Sequence, residues 1–308
     1  MMGATVLDGN ALSRVIRARV GRMAAEFAGG SGRPVRLGIV IATEDAAARR
    51  YVRSIEKGCR EVNIEARTVS LPATATEDEI RKELEALGRD PAAGGVDGII
   101  LQAPVPPGVD FSSLCESIDP RRDVDGTNPA NAGRLWAGQP GFVPATPAAV
   151  MRLVDLALAG LTQEAMEKAP GGELVLPPAS LAGLHAVVVG RSPRVGKPAA
   201  AMLLDRHATV TMAHSRTPDL RAVTSRADVL VVAAGRAGLV TGDMIKPGAV
   251  VIDVGTNVVD GALRGDVDFG SAAAVAGFLT PVPGGVGPVT MAILLEHVVA
   301  AALGRFTL

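Results

Sequence analysis

Apolar residues recur along this chain in two alternating rhythms. Leu12, Ile16, Val20, Met23 and Phe27 return at three- and four-residue intervals, which predicts an amphipathic helix over residues 10–28. RLGIVIA, residues 36–42, is instead a short β-branched run of the kind that fills a buried strand. Residues 46–62 revert to the helical pattern, RTVSL (67–71) predicts a second strand, and VDGIILQ (96–102) a third. Between the last two, Thr76 followed by Glu79 makes a capping-box arrangement at the head of TEDEIRKELEAL and marks a helix start. A second series follows: a helix over 148–159, a loop over 160–180 holding Pro170, Gly171, Gly172, Pro177 and Pro178, then AVVVG (186–190), ATVTMA (208–213), DVLVVAAG (228–235) and AVVIDVG (249–255) as buried strands. The last helix is expected from near Val289 to about Leu303. Strands alternating with helices predict an α/β fold with parallel sheets.

Composition narrows the class. The chain has 308 residues, 48% hydrophobic and 20% charged, which suits two domains or one large one. With 31 basic and 32 acidic residues the net charge is −1, so neither nucleic acid nor an anionic membrane surface is expected as a partner. No apolar run reaches the roughly 18 residues of a membrane span. The start, MMGATVLDGNALSRV, lacks the basic segment and apolar run of a signal peptide. Two cysteines, Cys59 and Cys115, make no disulfide framework and fit a reducing compartment, so a cytoplasmic location is expected. His185, His207, His214 and His297 are scattered without metal-ligand spacing, and no metal is expected.

The strand AVVVG runs into GRSPRVGKP, residues 190–198. Gly190 lets the strand turn sharply and Gly196 lets a following helix pack close, with its N-terminus facing a phosphate. The glycines are six apart, so this is not GxGxxG, and such a pair is more often an ordinary strand–helix turn. The end of the next strand adds information. A fold that selects NAD places an acid there for the ribose hydroxyl; here the sequence reads His214-Ser215-Arg216-Thr217. A hydroxyl beside a guanidinium suits the 2′-phosphate of NADP, with Arg191 as a second cation. The alternative is that both arginines are solvated surface charges.

Four further segments stand in one order along the chain: YVRSIEKGCREVNI (51–64), VDGIILQAPVP (96–106), RRDVDGTNPANAGRL (121–135) and TPVPGGVGPVT (280–290). With GRSPRVGKP they make nearly the whole chain resemble the methylenetetrahydrofolate dehydrogenase/cyclohydrolase family. The resemblance implies a homodimer whose subunit has two domains around a cleft. A folate-binding α/β domain would comprise 1–147 and 285–308, and a Rossmann-type NADP-binding domain 148–284. It also implies that Tyr51 stacks on the pterin, that residue 55 is the central catalytic position, that Gln102 tunes it, and that Asp125 binds the pterin's polar edge. Pro104, Pro283, Gly284 and Gly285 would complete the folate site. Gly190, Arg191, Ser192, Val195, Gly196, Ser215, Arg216 and Thr256 would hold NADP.

At position 55 the family has a lysine and this chain has isoleucine. Tyr51 and Ile55 are one helical turn apart and share a face, whereas Lys57 lies roughly 200° around the helix from position 55 and cannot stand in for the missing group. Ala48 and Ala145 also replace the family's usual serine and cysteine. The resemblance implies two reactions. Hydride removal from the methylene folate requires placement more than proton transfer. Ring opening of the methenyl product needs a general acid/base, which isoleucine cannot be. The expectation is that dehydrogenation survives and cyclohydrolase activity is lost or very slow. Two alternatives stand beside it: a paralogue acting on a modified folate or other one-carbon adduct, and a non-catalytic folate or NADP binder. Taken one by one, Tyr51 could be core, Gln102 a strand cap, and Asp123 and Asp125 turn residues ahead of Gly126.

Overall fold

In a computed structural model, which describes residues 3–160 and 176–306, a two-residue strand β1 (Thr5–Val6) precedes helix α1 (Gly9–Ser31). Asp8 caps α1 by accepting from the Asn10 and Ala11 N–H groups. The first series then runs β2 (Val35–Ile41), α2 (Ala46–Glu61), β3 (Ile64–Ser70), α3 (Glu77–Leu87) and β4 (Gly98–Gln102). Its strands form a parallel sheet of order β3-β2-β4. The capping box at Thr76 and Glu79 forms in full. The short helices α4 (Phe111–Glu116) and α5 (Pro129–Trp136) follow, then α6 (Ala145–Leu158).

The second series comprises β5 (His185–Val189), α7 (Gly196–Asp205), β6 (Thr209–Ala213), α8 (Leu220–Thr224), β7 (Val229–Val232), β8 (Val250–Asp253), the hairpin β9 (Asn257–Val259) and β10 (Ala262–Arg264), α9 (Phe269–Ala272), β11 (Phe278–Leu279) and α10 (Val286–Ala302). Its larger sheet has the order β1-β11-β8-β7-β5-β6, parallel throughout. The chain steps from β5 outward to β6, then returns to β7 on the other side of β5. This is a topological switch point, where open α/β sheets bind ligands.

Contacts divide the chain into two units, Met1–Val15 with Thr146–Thr290, and Ile16–Ala145 with Met291–Leu308. Each has its own apolar core, one around Val187, Leu230 and Val251, the other around Val40, Ile80 and Leu101. The α/β class and parallel sheets expected from the alternating pattern are both present. The details differ where apolar rhythm carries no signal. β1 and β11 have two residues each, too few to show a period. The strand expected to reach 235 ends at Val232, because past the Ala233 N–H, which still bonds the Val189 carbonyl, the N–H groups leave the ladder: those of Ala234, Gly235 and Arg236 donate to the Asp266 carboxylate. The last helix begins at Val286 and has buried residues all round, as its apolar composition requires. The loop expected over 160–180 falls, for residues 161–175, outside the described residues. Among the described residues no helix is long and apolar enough to cross a membrane.

Candidate functional site

In the unit built on β3-β2-β4, the strand ends are aligned. Ile41, the last residue of β2, is in register with Gln102, the last of β4, and with Ser70, the last of β3. Asp45 caps α2 by accepting from the Ala48 N–H at 2.7 Å, so the helix starts just beyond this edge and carries Tyr51 in its second turn. Gln102 is half-buried, and its amide nitrogen donates to the Ala103 carbonyl at 2.6 Å. The Ala103–Pro104 peptide is cis and Pro104 is exposed. Tyr51 and Gln102 are thus at one end of one sheet.

Position 55 differs in environment from Tyr51. Ile55 is fully buried, on the stripe of α2 that also buries Ala48, Val52 and Cys59, while Tyr51 is 39% exposed. The stripe follows i, i+4, i+7 and i+11, so an apolar side chain at 55 continues a dry face. Next to it, Gly58 packs closely on α10: an added Cβ would lie 3.3 Å from the end of the Leu295 side chain. Burial pushes the Cys59 thiol up to about 12, so it is an inert core group. Lys57 is exposed and lies 3.9 Å from Glu61.

The DVDG segment divides its two acids between different tasks. Asp123 bridges to Ile99 of β4 and is fully buried. Its carboxylate accepts from the Thr127 N–H and hydroxyl, the Asn128 N–H and the Asn131 amide, at 2.8–3.0 Å. This acid holds a turn together, as the turn reading allowed. Asp125, half-buried, sits inside the turn that the Gly126 N–H closes onto the Asp123 carbonyl. Gly126 has φ +63°, and an added Cβ would lie 2.4 Å from the Val143 carbonyl carbon, so only glycine fits. Sequence reasoning missed His297, whose Nδ1 donates to the Val124 carbonyl at 2.9 Å from helix α10.

In the other unit the candidate cofactor residues gather at the switch point. Val189 pairs with Ala213 and with Val232, and the Gly190 N–H continues the ladder to Ala213. Gly190 has φ +127°, and an added Cβ would lie 2.2 Å from the Ala233 carbonyl oxygen. An added Cβ on Gly196 would lie 2.2 Å from the Gly190 carbonyl oxygen. The two glycines therefore pack backbone on backbone, despite lacking GxGxxG spacing. Ser192 Oγ accepts from the Val195 and Gly196 N–H groups, so these donors are engaged within the turn itself. Exposed Arg191 follows Gly190. The His214–Thr217 turn, closed by the Thr217 N–H on the His214 carbonyl, presents exposed Ser215 and Arg216 beside it. Thr256 is exposed, just past the end of β8.

Below Thr256 lie two buried acids. Asp253 accepts from the N–H groups of Gly255, Asp266 and Val267, and burial raises its pKa to about 6 against the pull of those bonds. Asp266 accepts three consecutive N–H groups and the Asn257 amide. In the same unit the Val282–Pro283 peptide is cis, Gly284 has φ +107°, and an added Cβ on Gly9 would lie 1.8 Å from the Gly285 carbonyl oxygen. The Pro283-Gly284-Gly285 turn is thus pressed against the start of α1. Among the described residues no group of three or more His, Cys, Asp or Glu is placed to hold a metal.

Comparison with known proteins gives one consistent result. Residues 7–125 match the family model for the tetrahydrofolate dehydrogenase/cyclohydrolase catalytic domain, and residues 176–306 that for the NAD(P)-binding domain of the same family. The chain is 46% identical to the bifunctional protein FolD 3 of Rhizorhabdus wittichii, over 99% of this chain and 95% of that protein. Its fold matches the bifunctional FolD methylenetetrahydrofolate dehydrogenase/cyclohydrolase of Campylobacter jejuni with a TM-score of 0.87 at 36% identity, over 97% of this chain and 99% of that one. It also matches the Trypanosoma brucei methylenetetrahydrofolate dehydrogenase-cyclohydrolase complexed with NADP and an inhibitor, with a TM-score of 0.86 at 34% identity over 98% of each chain.

Proposed function

The chain belongs to the tetrahydrofolate dehydrogenase/cyclohydrolase family, and we propose that it oxidises methylenetetrahydrofolate with NADP but hydrolyses the methenyl product slowly or not at all. The observation that carries this reading is Ile55, fully buried on the dry stripe of α2. Removal of hydride from the methylene carbon is driven by the folate's own nitrogen lone pairs and leaves a methenyl cation; no proton need move. The protein's task in that step is alignment. Tyr51, on the exposed edge of α2, is read as the ring platform, Gln102 and Asp125 as the polar contacts, and Pro104 with Pro283, Gly284 and Gly285 as the remaining folate site.

Ring opening is a different demand. Water must lose a proton as it attacks the methenyl carbon, and a folate nitrogen must gain one. Isoleucine has no group for either transfer, and general acid–base assistance is typically about 10²–10⁴-fold. The Gln102 amide bonded to the Ala103 carbonyl supports the same reading, since no lysine is present at 55 for it to tune.

For the cofactor, the backbone approach at Gly190 and Gly196 fits a pyrophosphate cradle, and Ser215 with Arg216 fits a 2′-phosphate. Arg191, Ser192, Val195 and Thr256 are read as further contacts. NADP, when bound, supplies the hydride acceptor. Two buried free cysteines support a cytoplasmic location. Exposed Val258, Val259 and Leu263 on the β9–β10 hairpin support a homodimer. The test supplies methylenetetrahydrofolate and NADP and follows NADPH and methenyl product separately. NADPH formation with methenyl accumulation is expected; methenyl decay faster than the uncatalysed rate would overturn the proposal.

A further inference from the structure

The geometry points to His297 as a positioning residue for folate binding, acting through the turn that carries Asp125. This rests on the reading of Asp125 as a folate ligand. His297 is 2% exposed on α10, and its Nδ1 lies 2.9 Å from the Val124 carbonyl oxygen. A carbonyl oxygen only accepts, so Nδ1 carries the proton. That carbonyl belongs to the peptide joining Val124 to Asp125, and fixing its plane fixes the direction in which Asp125 leaves the chain.

The rest of the turn is already clamped. Upstream, Asp123 is bonded to Thr127, Asn128 and Asn131. The Val124 side chain fills the space beside Gly98, where an added Cβ would lie 2.6 Å from it. Downstream, Gly126 is pressed on Val143 and Pro144. Among these restraints the His297 bond acts on the peptide next to Asp125 itself. The imidazole is in turn held by Phe142, ring centroids 5.4 Å apart, which packs edge-on against Phe306 at 5.7 Å. The Arg134 guanidinium covers Phe306 at 5.2 Å. A buried polar ring braced by aromatic packing is a rigid anchor, and losing its proton donor would leave the Val124 carbonyl buried without this partner.

His297→Leu is expected to raise the KM for methylenetetrahydrofolate about five- to tenfold, with a smaller change in kcat and no change in the KM for NADP. His297→Asn, whose amide nitrogen replaces Nδ1, is expected to restore the KM to within twofold of the parent. In an Asp125→Ala background, His297→Leu is expected to add no further KM change. If the leucine variant does not fold, His297→Gln, which carries the donor one carbon further out, replaces it and is expected to raise the folate KM where asparagine does not. A leucine or glutamine variant with normal folate KM, or one that changes both KM values alike, would overturn the proposal. An additive effect with Asp125→Ala would overturn it too. An Asp125→Ala variant with unchanged folate KM would instead overturn the reading of Asp125, and this proposal with it.

Discussion

The two ends of the candidate machinery are built in different ways. Around the switch point of the larger sheet, the turn is fixed by backbone packing: Gly190 and Gly196 lie so close to neighbouring backbone that neither tolerates a Cβ. Around α2 and β4, the proposed folate site is made of side chains: Tyr51, position 55, Gln102 and Asp125. A backbone site cannot lose one function while keeping its fold, since the same atoms make both. A side-chain site can, because exchanging one residue on a helix leaves the helix in place. On the proposed reading Ile55 is the second case: its side chain has no proton to transfer, and it lies buried on the dry stripe of α2.

The largest effect should come from breaking the backbone side. Gly190→Ala places a methyl group 2.2 Å from the Ala233 carbonyl oxygen at φ +127°. A strain of about 3 kcal/mol corresponds to roughly 100-fold, so NADP binding measured by fluorescence titration should weaken by at least that factor. Normal binding by the alanine variant would show that the close approach is not what builds the cradle. On the other side, Ile55→Lys should raise methenyl hydrolysis by about 10²-fold or more. It should also lower stability to denaturant by roughly 2–5 kcal/mol, because a charge enters a dry stripe. Hydrolysis that does not respond would mean that more than one residue was exchanged in the loss.

Asp253 is a point where the cofactor unit also depends on a side chain, and it gives a pH signature. Burial raises its folded-state pKa to about 6, above the usual 3.8. A group raised on folding contributes stability that is complete below the unfolded value and is lost as pH rises through the folded one. Between about pH 4 and 6 this contribution should fall by up to ~3 kcal/mol. Denaturant midpoints compared between the parent and Asp253→Asn across that window should differ in slope; parallel slopes would refute the assignment. Arg216→Ala should raise the KM for NADP about tenfold while leaving that for NAD within twofold. The smallest effect is expected at Lys57: exposed and only loosely paired with Glu61, it should tolerate Lys57→Ala with less than about a twofold change in either reaction rate.

Much of the architecture was legible in the chain because it repeats. Strand–helix alternation predicted two α/β series, and the glycine pair at 190 and 196 marked the turn even without the GxGxxG spacing. The site was legible only in part. Tyr51 and Gln102 are separated by tens of residues, and their placement at the end of one small sheet follows from the in-register ends of β2 and β4; Asp125 is placed by the turn that the Gly126 N–H closes onto Asp123. His297 was invisible because its partner is a backbone carbonyl 173 positions away, and a carbonyl has no sequence identity. The same holds for Asp266, whose partners are the N–H groups of residues 234–236.

By itself the sequence determined which residues are present, and hence that position 55 holds no proton-transfer group: no fold can make isoleucine carry a proton. It also determined the local elements, since these follow from periodicity and caps within a few residues. Only the tertiary structure decided that Ile55 lies on a dry stripe while Tyr51 stays at its exposed edge. It likewise decided that Asp123 holds a turn while Asp125 sits within it. Those outcomes depend on what packs against each residue, and packing partners are set by the fold rather than by neighbours in the chain.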